Sequence, residues 1–132
     1  MNYVATVSDY MACDLILLSP ETEINRAMGI LLEHRLSGAP VVDRTGQLVG
    51  VLSKKDCLKA ALDASYYRDW GAKVGVYMTE NVKTLDAGTD ILTAATTFLE
   101  STYRRFPVLK GGQLVGQISR SDVLRAMIDN WK

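Results

Sequence analysis

The chain has 132 residues, and its 15 basic and 15 acidic side chains cancel at neutral pH. This length is normally one compact domain with a real core, and hydrophobic residues make up 48% of the chain. The balanced charge offers no basic patch to nucleic acid or to a membrane surface, and no apolar run is long enough to span a bilayer.

The N-terminus has neither the basic segment nor the apolar stretch of a signal peptide. Cys13 and Cys57 are too few, and too unlike in context, to form a disulfide framework or a metal site. We therefore expect a cytoplasmic protein that binds no metal.

An internal repeat organises the chain. The stretch Gly46–Asp56 returns as Gly112–Asp122, and each copy has a glycine turn, an apolar strand, and a serine three residues before an aspartate. Matches on both sides extend the repeat over nearly the whole chain. The sequence therefore divides into repeat 1 at 7–64, a linker at 65–73 and repeat 2 at 74–131.

Both repeats begin in the same way. A short helical turn is predicted at 8–11 in repeat 1 and at 75–78 in repeat 2. A short strand is predicted next, at 15–18 and at 82–85. Because neither repeat is long enough to bury both faces of a small sheet, we expect the two to share one core.

A helix, a hairpin and a last helix complete each repeat. In the first helix, apolar residues recur at i, i+3, i+4, i+7 and i+8, which predicts one buried face. Thr22 and Thr89 stand where the N-caps of these helices are expected. Two strands around a glycine turn predict a hairpin, and the last helix begins at Ser53 or at Ser119. Each repeat is thus β-α-β-β-α, and the fold class is α/β (α+β).

Three aromatic residues, Tyr66, Tyr67 and Trp70, cluster in the linker. We expect them to pack over the core or over a partner subunit. Capping of a bound ligand is the alternative role for them.

Ser53 and Asp56 share the strand-to-helix junction of repeat 1, as Ser119 and Asp122 do in repeat 2. This spacing predicts a capping box, in which the serine hydroxyl and the carboxylate bond to each other's backbone amides. The same helix start also suits a phosphate, and the carboxylate suits the diol of a ribose. One aspartate can do both, so structural and ligand-binding interpretations both stay open.

The chain resembles a pair of cystathionine-β-synthase (CBS) domains, also called a Bateman module. The resemblance extends from about residue 7 to residue 128. It implies two repeats packed sheet to sheet with pseudo-twofold symmetry. The residues that carry it are Met11 and Met78, the segments Ser37–Asp43 and Arg105–Leu109, and the two Gly-x-x-Ser-x-x-Asp motifs, Gly50–Asp56 and Gly116–Asp122.

In this family the clefts between repeats hold adenosyl ligands, so the resemblance implies AMP, ADP, ATP or S-adenosylmethionine as ligand. By motif position, Asp56 and Asp122 would contact the ribose. Ser53 and Ser119 would assist at the ribose or the phosphate. The resemblance implies no catalytic cofactor.

Positive charge near the motifs is unequal. Lys54 and Arg120 follow the two motif serines and would supply charge to a phosphate. The family often has basic residues before the proline of the second strand, and repeat 2 has Arg104 and Arg105 there. Repeat 1 departs from this pattern with Ser37-Gly38. The resemblance therefore favours one stronger nucleotide site, although a solvated basic pair is the alternative role for the arginines.

The resemblance implies a stand-alone regulatory module that senses a ligand and signals through a homodimer or an effector protein. The alternative is a structural interaction module with no physiological nucleotide. An enzyme is the least supported class, because the sequence offers no set of acid, base and nucleophile.

Overall fold

The computed structural model describes residues 5–68 and 71–131. Within this part of the chain lie six helices and five strands, the mixed α and β structure that the sequence predicts. The chain divides into two compact units. The continuous unit runs from Ile16 to Val82, and the split unit joins the segment that ends at Leu15 to the one that begins at Lys83.

The continuous unit is built around one antiparallel hairpin. Its largest fully buried side chains are apolar, and they come from the first helix, from the two hairpin strands and from the short helix at the end of the unit. The elements in chain order are α2 (Ile24–Glu33), β1 (Gly38–Val42), β2 (Leu48–Ser53), α3 (Lys54–Tyr67) and the single turn α4 (Val74–Tyr77).

The split unit is built around a three-stranded sheet of β3 (Leu85–Asp86), β4 (Arg105–Lys110) and β5 (Gln113–Ser119). Strand β3 runs parallel to β4, and β4 runs antiparallel to β5. Phe106 is fully buried at its centre, with the ring of Phe98 4.7 Å away between centroids. The elements in chain order are α1 (Val7–Tyr10), β3 (Leu85–Asp86), α5 (Ile91–Leu99), β4 (Arg105–Lys110), β5 (Gln113–Ser119) and α6 (Arg120–Asn130).

The segment around α1 belongs to the split unit through its backbone. The Val7 N–H donates to the Thr89 carbonyl at 2.8 Å, just before α5 begins. Further along, Ala12 and Gln117 of β5 exchange two hydrogen bonds of 2.8 and 2.9 Å. Residues 72–79 make the matching contacts in the continuous unit. The first residues of repeat 1 therefore pack with most of repeat 2, and the first residues of repeat 2 pack with most of repeat 1.

Two aligned tyrosines anchor these segments. The Tyr10 hydroxyl donates to Asp129 on α6 at 3.0 Å, and the Tyr77 hydroxyl donates to Asp63 on α3 at 2.7 Å. A hydroxyl bonded to a carboxylate is a strong, directional contact, so it fixes the single helical turn on the long helix beside it.

The strand predicted at 15–18 is reduced to one parallel bridge between Leu18 and Val41. The strand predicted at 82–85 begins only at Leu85. Repeat 2 thus has the full β-α-β-β-α order, whereas repeat 1 has it with a single bridge in place of its first strand.

The predicted N-caps are one residue early. Glu23 and Asp90 occupy these positions, and the Asp90 carboxylate accepts from the Thr93 N–H at 2.8 Å. Thr22 is used in the preceding turn, where its hydroxyl oxygen accepts from the Ser19 N–H. A local turn bond of this kind competes with capping.

Tyr66 and Tyr67 do not cover the core of the chain. Helix α3 extends through Tyr67, and Tyr66 and Tyr67 are both 79% exposed. Trp70 lies outside the described residues.

Candidate functional site

The motif of repeat 1 forms a capping box at the start of α3. Strand β2 ends at Ser53, whose hydroxyl oxygen accepts from the Asp56 N–H at 3.1 Å. One Asp56 carboxylate oxygen accepts in return from the Ser53 N–H at 2.9 Å. Both side chains are half-buried.

The motif of repeat 2 repeats this geometry at the start of α6. The Ser119 hydroxyl oxygen accepts from the Asp122 N–H at 3.2 Å, and Asp122 Oδ2 accepts from the Ser119 N–H at 2.9 Å. The predicted capping boxes are therefore present in both copies, and they account for one oxygen of each carboxylate.

The remaining carboxylate oxygens differ between the copies. Asp122 Oδ1 accepts a 2.7 Å bond from Arg125 Nη2, an ion pair one helical turn further along α6. Asp56 Oδ1 has no hydrogen-bond partner among the residues described, and Lys59, at the position aligned with Arg125, forms no ion pair there. The sequence contains the signal for this difference, since i and i+3 face the same side of a helix.

The backbones of three arginines in repeat 2 lie beside the second motif. Arg105 lies directly opposite Ser119 in the register of β4 and β5. The Arg120 N–H donates to the Arg104 carbonyl at 3.3 Å, which brings these two residues side by side. All three arginines are exposed, and in the part of the chain that the structure describes none of them is paired with a carboxylate. Their guanidinium groups are available to an anion.

In the continuous unit, Ser37 and Gly38 stand where the split unit has Arg104 and Arg105. The Lys54 N–H donates to the Ser37 carbonyl at 2.9 Å, the contact that Arg120 makes with Arg104. Gly38 lies opposite Ser53, and a Cβ atom there would approach the Leu52 carbonyl oxygen to 2.9 Å. The unequal charge seen in the sequence is thus an unequal charge around two equivalent helix starts.

The first glycine of each motif has a role that the sequence did not reveal. A Cβ atom at Gly116 would lie 2.5 Å from Met11 Sδ and 2.9 Å from the Ala12 carbonyl oxygen. At Gly50 it would lie 2.9 Å from Met78 Sδ and 2.8 Å from a backbone oxygen. These glycines let the segments around α1 and α4 approach the hairpins closely.

Other groups offer little chemistry. Cys57 is 8% exposed, and burial raises the pKa of its thiol, so the reactive thiolate is disfavoured. Residues 5–68 and 71–131 contain no cluster of three or more side chains suited to hold a metal ion. Across the same residues no helix combines the length and the apolar character that crossing a membrane requires.

The CBS domain family profile matches the chain twice, at residues 7–63 and 73–129. An uncharacterized 17.7 kDa protein of Acidianus ambivalens is 31% identical over 93% of this chain. The chloroplastic CBS domain-containing protein CBSX1 of Arabidopsis thaliana is 32% identical over 95% of it. The chain spans 73% of the length of the first relative and 65% of the second.

A solved structure gives the most direct comparison. The crystal structure of Arabidopsis thaliana CBSX2 in complex with AMP is 32% identical to this chain, with a TM-score of 0.83. The match covers 96% of this chain and 98% of that one. The similarity thus includes nearly all of both chains.

Proposed function

The chain belongs to the CBS domain family, and we propose that it is a regulatory module that binds an adenine nucleotide or another adenosyl ligand. The candidate ligands are AMP, ADP, ATP and S-adenosylmethionine. AMP comes first among them because the similar CBSX2 structure contains AMP. The proposed role is binding, and no reaction is assigned to the chain.

The observation that carries this proposal is the backbone position of Arg104, Arg105 and Arg120 next to the helix start at Ser119. A helix N-terminus attracts a phosphate through its backbone N–H groups and its dipole. Three guanidinium groups beside it add charge and forked hydrogen-bond donors. The carboxylate of Asp122 would repel a phosphate, so it suits the ribose, as Asp56 does at the other motif.

Signalling would follow from unequal binding to two conformations. A ligand shifts a conformational equilibrium only by as much as it favours one state. Contacts at the starts of α3 and α6 would therefore stabilise one arrangement of these helices and alter the surface offered to an effector protein or to a second copy.

Titration calorimetry and thermal unfolding with each of the four ligands test the proposal. We expect heat of binding and a raised melting temperature with at least AMP, because a ligand that binds only the folded state stabilises it. The alternative function, a structural interaction module without a nucleotide, predicts no heat and no shift with any of the four at millimolar concentration.

We also propose that the chain forms a homodimer through its exposed leucine faces. The helix pairs α2–α3 and α5–α6 each bury only part of their predicted apolar faces. The α2–α3 pair also has an apolar groove of about 280 Å³ beside Leu32 and Leu58. The exposed apolar side chains at aligned positions are Leu32, Leu58 and Leu62 in one unit and Leu99, Leu124 and Ile128 in the other.

Replacing both Leu58 and Leu124 by glutamate is expected to give a monomer, because burying two carboxylates in an apolar interface is strongly unfavourable. Light scattering after size-exclusion chromatography measures the mass. Val76→Glu is the matched control, since Val76 is 71% exposed but lies on α4, which is none of the four helices that carry the leucine faces. A dimer that survives the double substitution would place the interface elsewhere.

A reducing compartment such as the cytoplasm is part of the same proposal. Both cysteines are free thiols, Cys13 exposed and Cys57 buried. An exposed free thiol is stable in a reducing environment and prone to oxidation outside it.

A further inference from the structure

The two motif aspartates differ in how much of the carboxylate is available. Asp122 uses Oδ2 for the Ser119 N–H and Oδ1 for Arg125. Asp56 uses one oxygen for the Ser53 N–H, and no described residue bonds to the other. The two copies of one sequence motif are therefore chemically unequal at the atom that a ligand would need.

The Arg125 contact is short and lies where a ligand would have to compete with it. Its length is 2.7 Å, and the Asp122 side chain is only 15% exposed, whereas that of Arg125 is 56% exposed. Water therefore screens the carboxylate less than it would at an open surface, which strengthens the bond. The exposed guanidinium is free to swing away at the expense of that bond.

We infer that Arg125 restricts access of a ribose diol to Asp122, so that Asp56 carries the more accessible diol site. This inference rests on the proposed function. A diol needs acceptor lone pairs, of which a carboxylate has about four, and the Arg125 bond leaves Asp122 with one fewer than Asp56. Arg104, Arg105 and Arg120 stand beside this motif, so a ligand with phosphate has compensating contacts there that a nucleoside lacks.

Arg125 is thus a specificity-determining residue for the second motif. The second motif favours phosphorylated ligands, because their phosphate contacts offset the loss of the Arg125–Asp122 ion pair. The first motif, at Asp56, lacks a counterpart of the Arg104–Arg105 pair and depends more on the diol. One chain would then hold two sites of different ligand preference.

The test isolates the second motif in an Asp56→Asn background, which keeps a hydrogen-bond acceptor for the Ser53 N–H. Arg125→Met is added, and AMP binding is measured by titration calorimetry. We expect Arg125→Met to tighten AMP binding about tenfold, the effect of removing one competing hydrogen bond to a charged group. Lys59→Met is the matched control, since Lys59 has the aligned position without an ion pair, and it should leave the affinity unchanged.

The outcomes separate this inference from the proposal beneath it. If Arg125→Met leaves AMP affinity unchanged or weakens it, Arg125 does not restrict the motif and the inference fails. If the unmodified, folded chain binds no AMP, ADP, ATP or S-adenosylmethionine, the proposed function fails and the inference fails with it. Thermal unfolding of each variant checks that the fold is retained at the temperature of the titration.

Discussion

Gly116→Ala is expected to destabilise the protein by roughly 1–3 kcal/mol, the usual cost of forcing extra atoms into a packed region. The new methyl group would overlap Met11 Sδ and the Ala12 carbonyl oxygen, at 2.5 and 2.9 Å. The methionine can move, but the carbonyl is held by its 2.9 Å bond from the Gln117 N–H. Urea unfolding monitored by circular dichroism measures the difference.

Gly29→Ala is the control for this prediction. Gly29 lies within α2, and a Cβ atom there would meet nothing within 4 Å. Alanine is favoured over glycine inside a helix by about 1 kcal/mol, so this variant should be more stable than the parent. If Gly116→Ala also proved neutral or stabilising, the close approach of the α1 segment to β5 would be wrong.

Replacing Arg104 and Arg105 together by alanine is expected to weaken AMP binding at the second motif by roughly 100-fold or more. Each guanidinium–phosphate hydrogen bond contributes about 1.5–3 kcal/mol, and both would be lost. Calorimetry in the Asp56→Asn background makes the comparison at the second motif alone. Adenosine, which has no phosphate, should bind the variant and its parent alike.

Lys110→Ala is the control for the arginine pair. Lys110 is exposed at the far end of the same strand, β4, so its removal changes the net charge without touching the helix start. The double arginine variant should lose much more affinity than this control. Equal losses would indicate general electrostatic attraction, and an unchanged affinity would mean that the arginines do not contact the phosphate.

Local patterns in the sequence predicted most of the secondary structure and both capping boxes. A serine and an aspartate three residues apart after an apolar strand fix a helix start almost by themselves, and Ser53 and Ser119 are N-caps as expected. The Asp90 cap was missed because a threonine stands beside it, and threonine is also a preferred N-cap residue.

The sequence did not predict which distant segments of the chain pack against each other. Nothing in residues 5–12 indicates that they pack beside β5, because a short segment with one helical turn fits many surfaces equally well. Gly50 and Gly116 have ordinary strand positions in the sequence pattern. Only the structure shows that Met78 and Met11 leave no room for a side chain at these two glycines. The spacing of Arg125 from Asp122 was visible, but an i,i+3 pair does not reveal that it occupies a carboxylate needed elsewhere.

The exposed leucines show the same limit. A helical repeat of apolar residues predicts one buried face, yet Leu32 and Leu99 are 69% and 88% exposed. The pattern identifies an apolar helix face. It does not show whether that face is buried by residues of the same chain or by a second copy.

The most direct test of the central claim is a titration of the isotopically labelled protein with AMP, followed by amide chemical shifts. If the motif copies bind the ligand, the largest shifts will fall at the helix starts, on Ser53, Lys54, Ser119 and Arg120. Shifts confined to other surfaces, or no shifts at millimolar AMP, would contradict the assignment of the Ser-x-x-Asp helix starts as the ligand site.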